Sequence, residues 1–182
     1  MIREDAWKLL CEYTDDESLR KHALAVEGAM AAFARKYGEN EEKWRAVGLL
    51  HDLDYQKFPD LHPLKGAEIL KERGADEEIR RAVLSHYEKK TGVSPQSMME
   101  KTLCAVDELC GFLIAVALVR PSKKLEDVSV KSVKKKLSDK AFARSVDREE
   151  IQKGMALLGT TLEEHIQFLI EALKPIASEL GV

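Results

Sequence analysis

The chain has 182 residues, of which 45% are hydrophobic and 34% charged, and its net charge is -3. That length and balance suit one globular domain with a sizeable core and exclude a chain built as a whole to coat nucleic acid. The charged opening, Met1-Ile2-Arg3-Glu4-Asp5, reads as no signal peptide, and the most apolar run, Leu109 to Val119, is too short to span a bilayer. Cys11, Cys104 and Cys110 lack metal-site spacing; Cys104 and Cys110 read as buried free thiols, and a reducing cytoplasm is the expected compartment.

Nearly every segment carries a helical period. Thr14-Asp15-Asp16-Glu17 reads as a capping box, so a helix is predicted from about 15 to Tyr37, closed by Gly38. Its apolar stripe is Leu19, Ala23, Val26, Met30 and Phe33, with His22 beside it. A second helix from about 41 carries Trp44, Val47 and Leu50 and ends near His51-Asp52. Residues 53 to 61, with Pro59, read as a loop. Pro63 suits the first turn of a further helix closed by Gly74, and the next, about 76 to 89, holds Ile79, Val83 and His86. Ser94-Pro95 is expected to cap a long helix to about Val119, whose apolar face Asp107 interrupts. Beyond Pro121, Val130, Val133 and Leu137 suggest an amphipathic helix with lysines outside. Asp147-x-x-Glu150 and Thr160-x-x-Glu163 are further capping signatures, and Pro175 is expected to kink or break the last helix.

The most informative residues are His51 and Asp52, placed at the end of the apolar run Ala46 to Leu50. Burying an ionised carboxylate without a partner costs on the order of several kcal/mol. A divalent cation removes that cost, because imidazole and carboxylate are both good ligands. His22 lies upstream, His62 and His86 downstream, and Asp107 sits in another apolar stretch, giving the order H…HD…H…H…D. His165, in a Glu-Glu-His sequence, reads as a surface residue.

That ordered set resembles the HD superfamily of metal-dependent phosphohydrolases over roughly residues 16 to 120. The segments His51-Asp52-Leu53-Asp54-Tyr55 and His62-Pro63-Leu64-Lys65-Gly66-Ala67 resemble its HDIG-type members, with Leu-Asp where Ile-Gly is usual and Tyr55 where many relatives carry a lysine. The resemblance implies an all-α HD-domain bundle over residues 1 to 182, with a metal-binding core at about 16–120 and additional C-terminal helices at about 121–182. It implies that His22, His51, Asp52 and Asp107 hold one ion, and that His62 and His86 complete a second site bridged by Asp52. Mixed N and O ligation suits Mn, Fe, Co, Ni or Zn. The implied reaction is attack of a metal-bound hydroxide on a phosphate mono- or diester, with a small phosphorylated substrate, a nucleotide foremost. Asp54 is placed to orient water or tune a ligand histidine, and Lys65, three residues after His62, to contact phosphate.

Each residue also has a plainer reading. His22 alone fits a core-edge histidine, His62 a helix cap, Asp107 a cap or an ion pair, and Asp54 and Lys65 solvated side chains. From Arg120 to Arg144 the chain is near +6 and elsewhere near -9. This stretch is either a solvated face or a positive wall that draws in phosphate, in which case Arg120 and Lys123 lie nearest the site in sequence. No aromatic residues interleave its lysines, which speaks against nucleic acid as partner. Two rival functions stand beside the hydrolase: an HD-type di-iron oxygenase and a non-catalytic HD binding or regulatory module. Oligomeric state is open.

Overall fold

The structure is a computed structural model and describes residues 1–182. It is all-α. In chain order the helices are α1 (Arg3–Tyr13), α2 (Glu17–Tyr37), α3 (Glu41–Leu50), α4 (Leu64–Glu72), α5 (Glu77–Ser85), α6 (Glu88–Thr91), α7 (Met98–Leu118), α8 (Val130–Leu137), α9 (Arg148–Leu158), α10 (Leu162–Leu173) and α11 (Ala177–Leu180). Single turns of 3-10 helix lie at Pro59–Leu61, Leu125–Asp127 and Lys174–Ile176. None of the helices is long and apolar enough to cross a membrane.

The helix starts correct several expectations by one to three residues. Asp16, not Thr14, caps α2, accepting from the Leu19 amide; Thr14 is the buried residue that ends α1. Ser97, not Ser94, caps α7, accepting from Glu100 N. At α10 the capping box is Thr161 with Glu164, one residue beyond the expected pair. In each case several Ser, Thr or Asp residues stand close together, and the one whose oxygen meets the N3 amide becomes the cap. The caps at Asp147 on α9 and at Gly38 after α2 are as the sequence implies. Pro175 sits in the 3-10 turn that follows α10.

α2 and α7, the two longest helices, form the spine of the core. α3 crosses α2 so closely that a β-carbon on Gly48 would lie 2.7 Å from the Glu27 backbone. Only glycine allows that approach. Glu27 itself is buried and accepts from Arg3 Nε at 2.5 Å and Arg45 Nη1 at 3.0 Å, which ties α1, α2 and α3 together with its charge compensated. α9 lies along α7, and Ile151, Ile166, Leu169 and Leu173 join the same apolar core as Val26, Leu50 and Val106. The C-terminal helices therefore close over the core and shape one side of the site.

Candidate metal centre

His22 projects from α2 one turn before Val26. His51 and Asp52 follow the last residue of α3, and Asp107 lies mid-way along α7. The close α2–α3 crossing brings His22 Nε2 within 3.1 Å of His51 Nε2. Asp107 Oδ1 lies 3.0 Å from the first nitrogen and 3.3 Å from the second. A second triad is made by Asp52, His62, which precedes α4, and His86, which ends α5. Asp52 faces both groups. Its Oδ2 lies 3.4 Å from His51 Nε2, while its Oδ1 lies 3.4 Å from His62 Nε2 and 3.6 Å from His86 Nε2.

Hydrogen bonds on the far side of each ring fix what these atoms offer. The Nδ1–H of His51 donates to the Gly48 carbonyl at 2.8 Å, that of His86 to the Val83 carbonyl at 2.5 Å, and that of His62 to Asp54 Oδ1 at 2.7 Å. With the proton on Nδ1, each ring turns a bare Nε2 lone pair inward. Lone pairs and carboxylate oxygens at such distances repel unless positive charge lies among them. Protons are one remedy. Burial opposes a charged His51, yet Asp52 and Asp107 outweigh it and hold its pKa well above the usual imidazole value. Burial likewise opposes ionisation of Asp52 and Asp107, but His51 above all keeps both far below the usual carboxylate range. Divalent cations are the other remedy, and they compete for the same lone pairs. Two triads of two imidazoles and one carboxylate fit borderline transition metals such as Mn, Fe, Co, Ni or Zn.

Asp54 is fully buried. One oxygen holds His62, and the other accepts from the Gly66 amide at 2.6 Å. It therefore orients a ring of the second triad and does not face the cavity. Lys65 is not brought to the centre. His62 is extended rather than helical, so the three-residue spacing does not place both side chains on one side; the ammonium group pairs with Glu68 at 2.6 Å instead. Arg120 and Lys123 also lie elsewhere. From Asp107 to the end of α7 the chain runs about 16 Å, and neither residue lines the cavity beside the triads. Within the basic segment, Lys134 pairs with Glu163, and Lys136 sits over the Phe142 ring at 4.5 Å.

That cavity measures about 490 Å³. Its walls include residues the sequence reading left without a role: Tyr55, Tyr87, Lys89, Glu108, Asp147 and Glu150. Tyr87 and Glu108 directly follow His86 and Asp107, and that adjacency is the signal that points to them. Asp147 and Glu150 read as a capping pair, and nothing local announces that α9 packs beside α7. The wall is acidic rather than basic. Lys89 is held by Glu150 at 3.0 Å and Asp147 at 3.1 Å, which raise its pKa. Glu108 accepts from the Asp147 amide at 3.1 Å, and burial together with Asp107 pushes its pKa up to about 7. Cys104 also lines the cavity, its thiol raised by burial to about 12. His165 is a correction: it is buried, and its Nε2–H donates to the Ala105 carbonyl of α7 at 2.8 Å.

A family model described as HD domain matches residues 19–111, more than half of the chain. The chain belongs to the HD-domain family. All six donor residues of this HD-domain protein lie within the matched stretch. It is also similar to curated proteins named ribonuclease Y. That of Thermosipho melanesiensis is 30% identical over 116 residues, which is 62% of this chain and 21% of that protein. That of Oleidesulfovibrio alaskensis is 28% identical over 98 residues, 52% of this chain and 18% of that protein. That of Thermotoga maritima is 26% identical over 146 residues, 73% of this chain and 27% of that protein. The HD-domain chain thus spans about a fifth to a quarter of the length of these relatives. No solved structure gives a significant match.

Proposed function

We propose that this HD-domain protein is a metal-dependent phosphohydrolase that cleaves a phosphate mono- or diester of a nucleotide-sized substrate. The observation that carries the reading is the pair of triads joined through the two oxygens of Asp52 beside a cavity of about 490 Å³. The relatives named ribonucleases support the reaction class, since RNA is a phosphodiester. Divalent ions bound there supply charge for phosphate oxygens and bring the pKa of water toward neutrality.

The chain's residues do the rest. His22, His51 and Asp107 would hold one ion and His62 and His86 the other, with the Asp52 carboxylate facing both triads. The Gly48 and Val83 carbonyls and the Asp54 carboxylate keep the ring protons at Nδ1, so that each Nε2 stays available. The cavity beside the triads is walled by residues of α7 and of the start of α9, and that wall offers a substrate its approach.

The test is elemental analysis of protein prepared without chelator, followed by a phosphatase and phosphodiesterase screen with the metal found and an oxygen-uptake assay in parallel. The expected result is bound transition metal and phosphate ester cleavage. Failure of added Mn, Fe, Co, Ni or Zn to bind overturns the centre, and oxygen uptake without ester cleavage overturns the reaction. Replacing His62 or His86 by Ala is expected to lower metal content by about one ion per chain.

A further inference from the structure

Two tyrosines stand at the mouth of the cavity, placed by the donor set itself. Tyr55 follows Asp52 by three residues, its amide donating to the Asp52 carbonyl at 3.0 Å. Tyr87 follows His86 directly. Both rings meet His62: Tyr55 edge-on with centroids 5.4 Å apart, Tyr87 tilted with centroids 6.1 Å apart. They are nevertheless 46% and 42% exposed. Two large aromatic side chains left partly open beside one ligand histidine, both lining one cavity, form a surface that a flat apolar group can cover.

Charge on the walls does not offer the same welcome to a polyanion. Lys89 is the one lysine or arginine that lines the cavity, and two carboxylates already hold it. Glu108 adds a further carboxyl group on that side. A single phosphate can be neutralised at the triads, but the cavity wall offers additional phosphates no free cation, because Lys89 is engaged by Asp147 and Glu150. Binding of the rest of the substrate is left to stacking, which every nucleobase supports through its π-face.

We propose that Tyr55 and Tyr87 form a stacking site for a planar aromatic group of the substrate, of nucleobase type, and that the substrate is a monomer with one phosphate rather than a polyphosphate or a polynucleotide. The proposal rests on the phosphohydrolase reading above and adds the substrate class. A cavity of about 490 Å³ holds one such unit.

The experiment compares adenosine 5′-monophosphate, ribose 5-phosphate and adenosine triphosphate as substrates of the manganese-loaded full chain, in the wild type, Tyr55→Ala, Tyr87→Ala and Tyr55→Trp. Each alanine variant is expected to raise KM for the nucleoside monophosphate about tenfold more than KM for ribose 5-phosphate. Tyr55→Trp is expected to keep the wild-type KM, and the triphosphate to be the poorest substrate of the three. A second measurement does not need turnover: saturation-transfer NMR with adenosine alone, which should report binding to the wild type and its loss in the double alanine variant. If no ester is cleaved, the reaction reading fails, while adenosine binding still decides the stacking site. Equal KM changes for both monophosphates, or adenosine binding that is absent or indifferent to the double substitution, overturn the proposal.

Discussion

The centre between α2 and α7 and the contact between α7 and α10 are both built around imidazoles, and they differ in what the second ring nitrogen meets. In the centre, His51, His62 and His86 each give one N–H to a carbonyl or carboxylate and turn the other nitrogen toward further nitrogens and oxygens. His165 also gives one N–H to a carbonyl, but its other nitrogen is buried without a partner and its ring lies 5.8 Å from that of Phe33. Desolvation accordingly lowers the pKa of His165, whereas carboxylates raise that of His51 against the same penalty. One imidazole is a core residue held neutral, and the others stand in clusters fit to hold a cation. Burial alone does not separate a structural histidine from a ligand; the company of the second nitrogen does.

The largest test of this contrast is Asp52→Ala. Removing the carboxylate that faces both triads should strip the protein of most of its metal and lower ester cleavage by at least about a hundredfold, with helix content unchanged. Elemental analysis and circular dichroism read the two effects, and metal retained at the wild-type level would break the contrast at its root. Asp54→Asn comes next. The amide can still accept from His62 with one atom, but its NH2 group would then face the Gly66 amide, donor against donor. Metal affinity at the second triad should drop about 10- to 100-fold while the first triad is spared, as a calorimetric metal titration would resolve.

His165→Gln probes the other side of the comparison. Loss of the ring should cost about 1 kcal/mol at pH 8 and leave metal content alone. It should also flatten the acid limb of stability. With the folded pKa depressed, the unfolded chain, titrating near 6.5, takes up the proton first, so the wild type loses stability as pH falls from 6.5 through the folded value. Urea midpoints at pH 5 and pH 8 measure this; a slope as steep as in the wild type would place the titrating group elsewhere. The smallest effect is expected from Arg120→Ala combined with Lys123→Ala. Kinetics within about twofold of the wild type follow from their distance from the cavity, and a clear rise in KM at low salt would return the basic segment to the site.

How much of this was legible differs residue by residue. His51, Asp52 and Asp107 stand out because ionisable residues at apolar runs need a physical excuse, whereas His22, His62 and His86 were legible only through the order H…HD…H…H…D. The helices were legible from their apolar period, but the caps at Asp16, Ser97 and Thr161 were displaced, because neighbouring hydroxyls and carboxylates compete for one amide. The Glu163 and Glu164 neighbours of His165 imply exposure, yet the residue is buried. Its place one helical turn before Leu169 and beside Ile166 marks the buried face more reliably than adjacent charge. The acidic wall was not legible at all. Asp147 and Glu150 reach the cavity through the packing of α9 on α7, a contact between segments some forty residues apart that no local pattern records.

Gly66 makes the reach of such packing concrete. A β-carbon there would lie 3.1 Å from Asp54 Oδ1, the same oxygen that holds His62. The smallest possible side chain would thus press on the Asp54 carboxylate, and the displacement would be handed on to the angle at which the His62 imidazole presents its lone pair. A heritable change at this position would therefore act on the second triad from outside it, through a residue that is not one of the six donors.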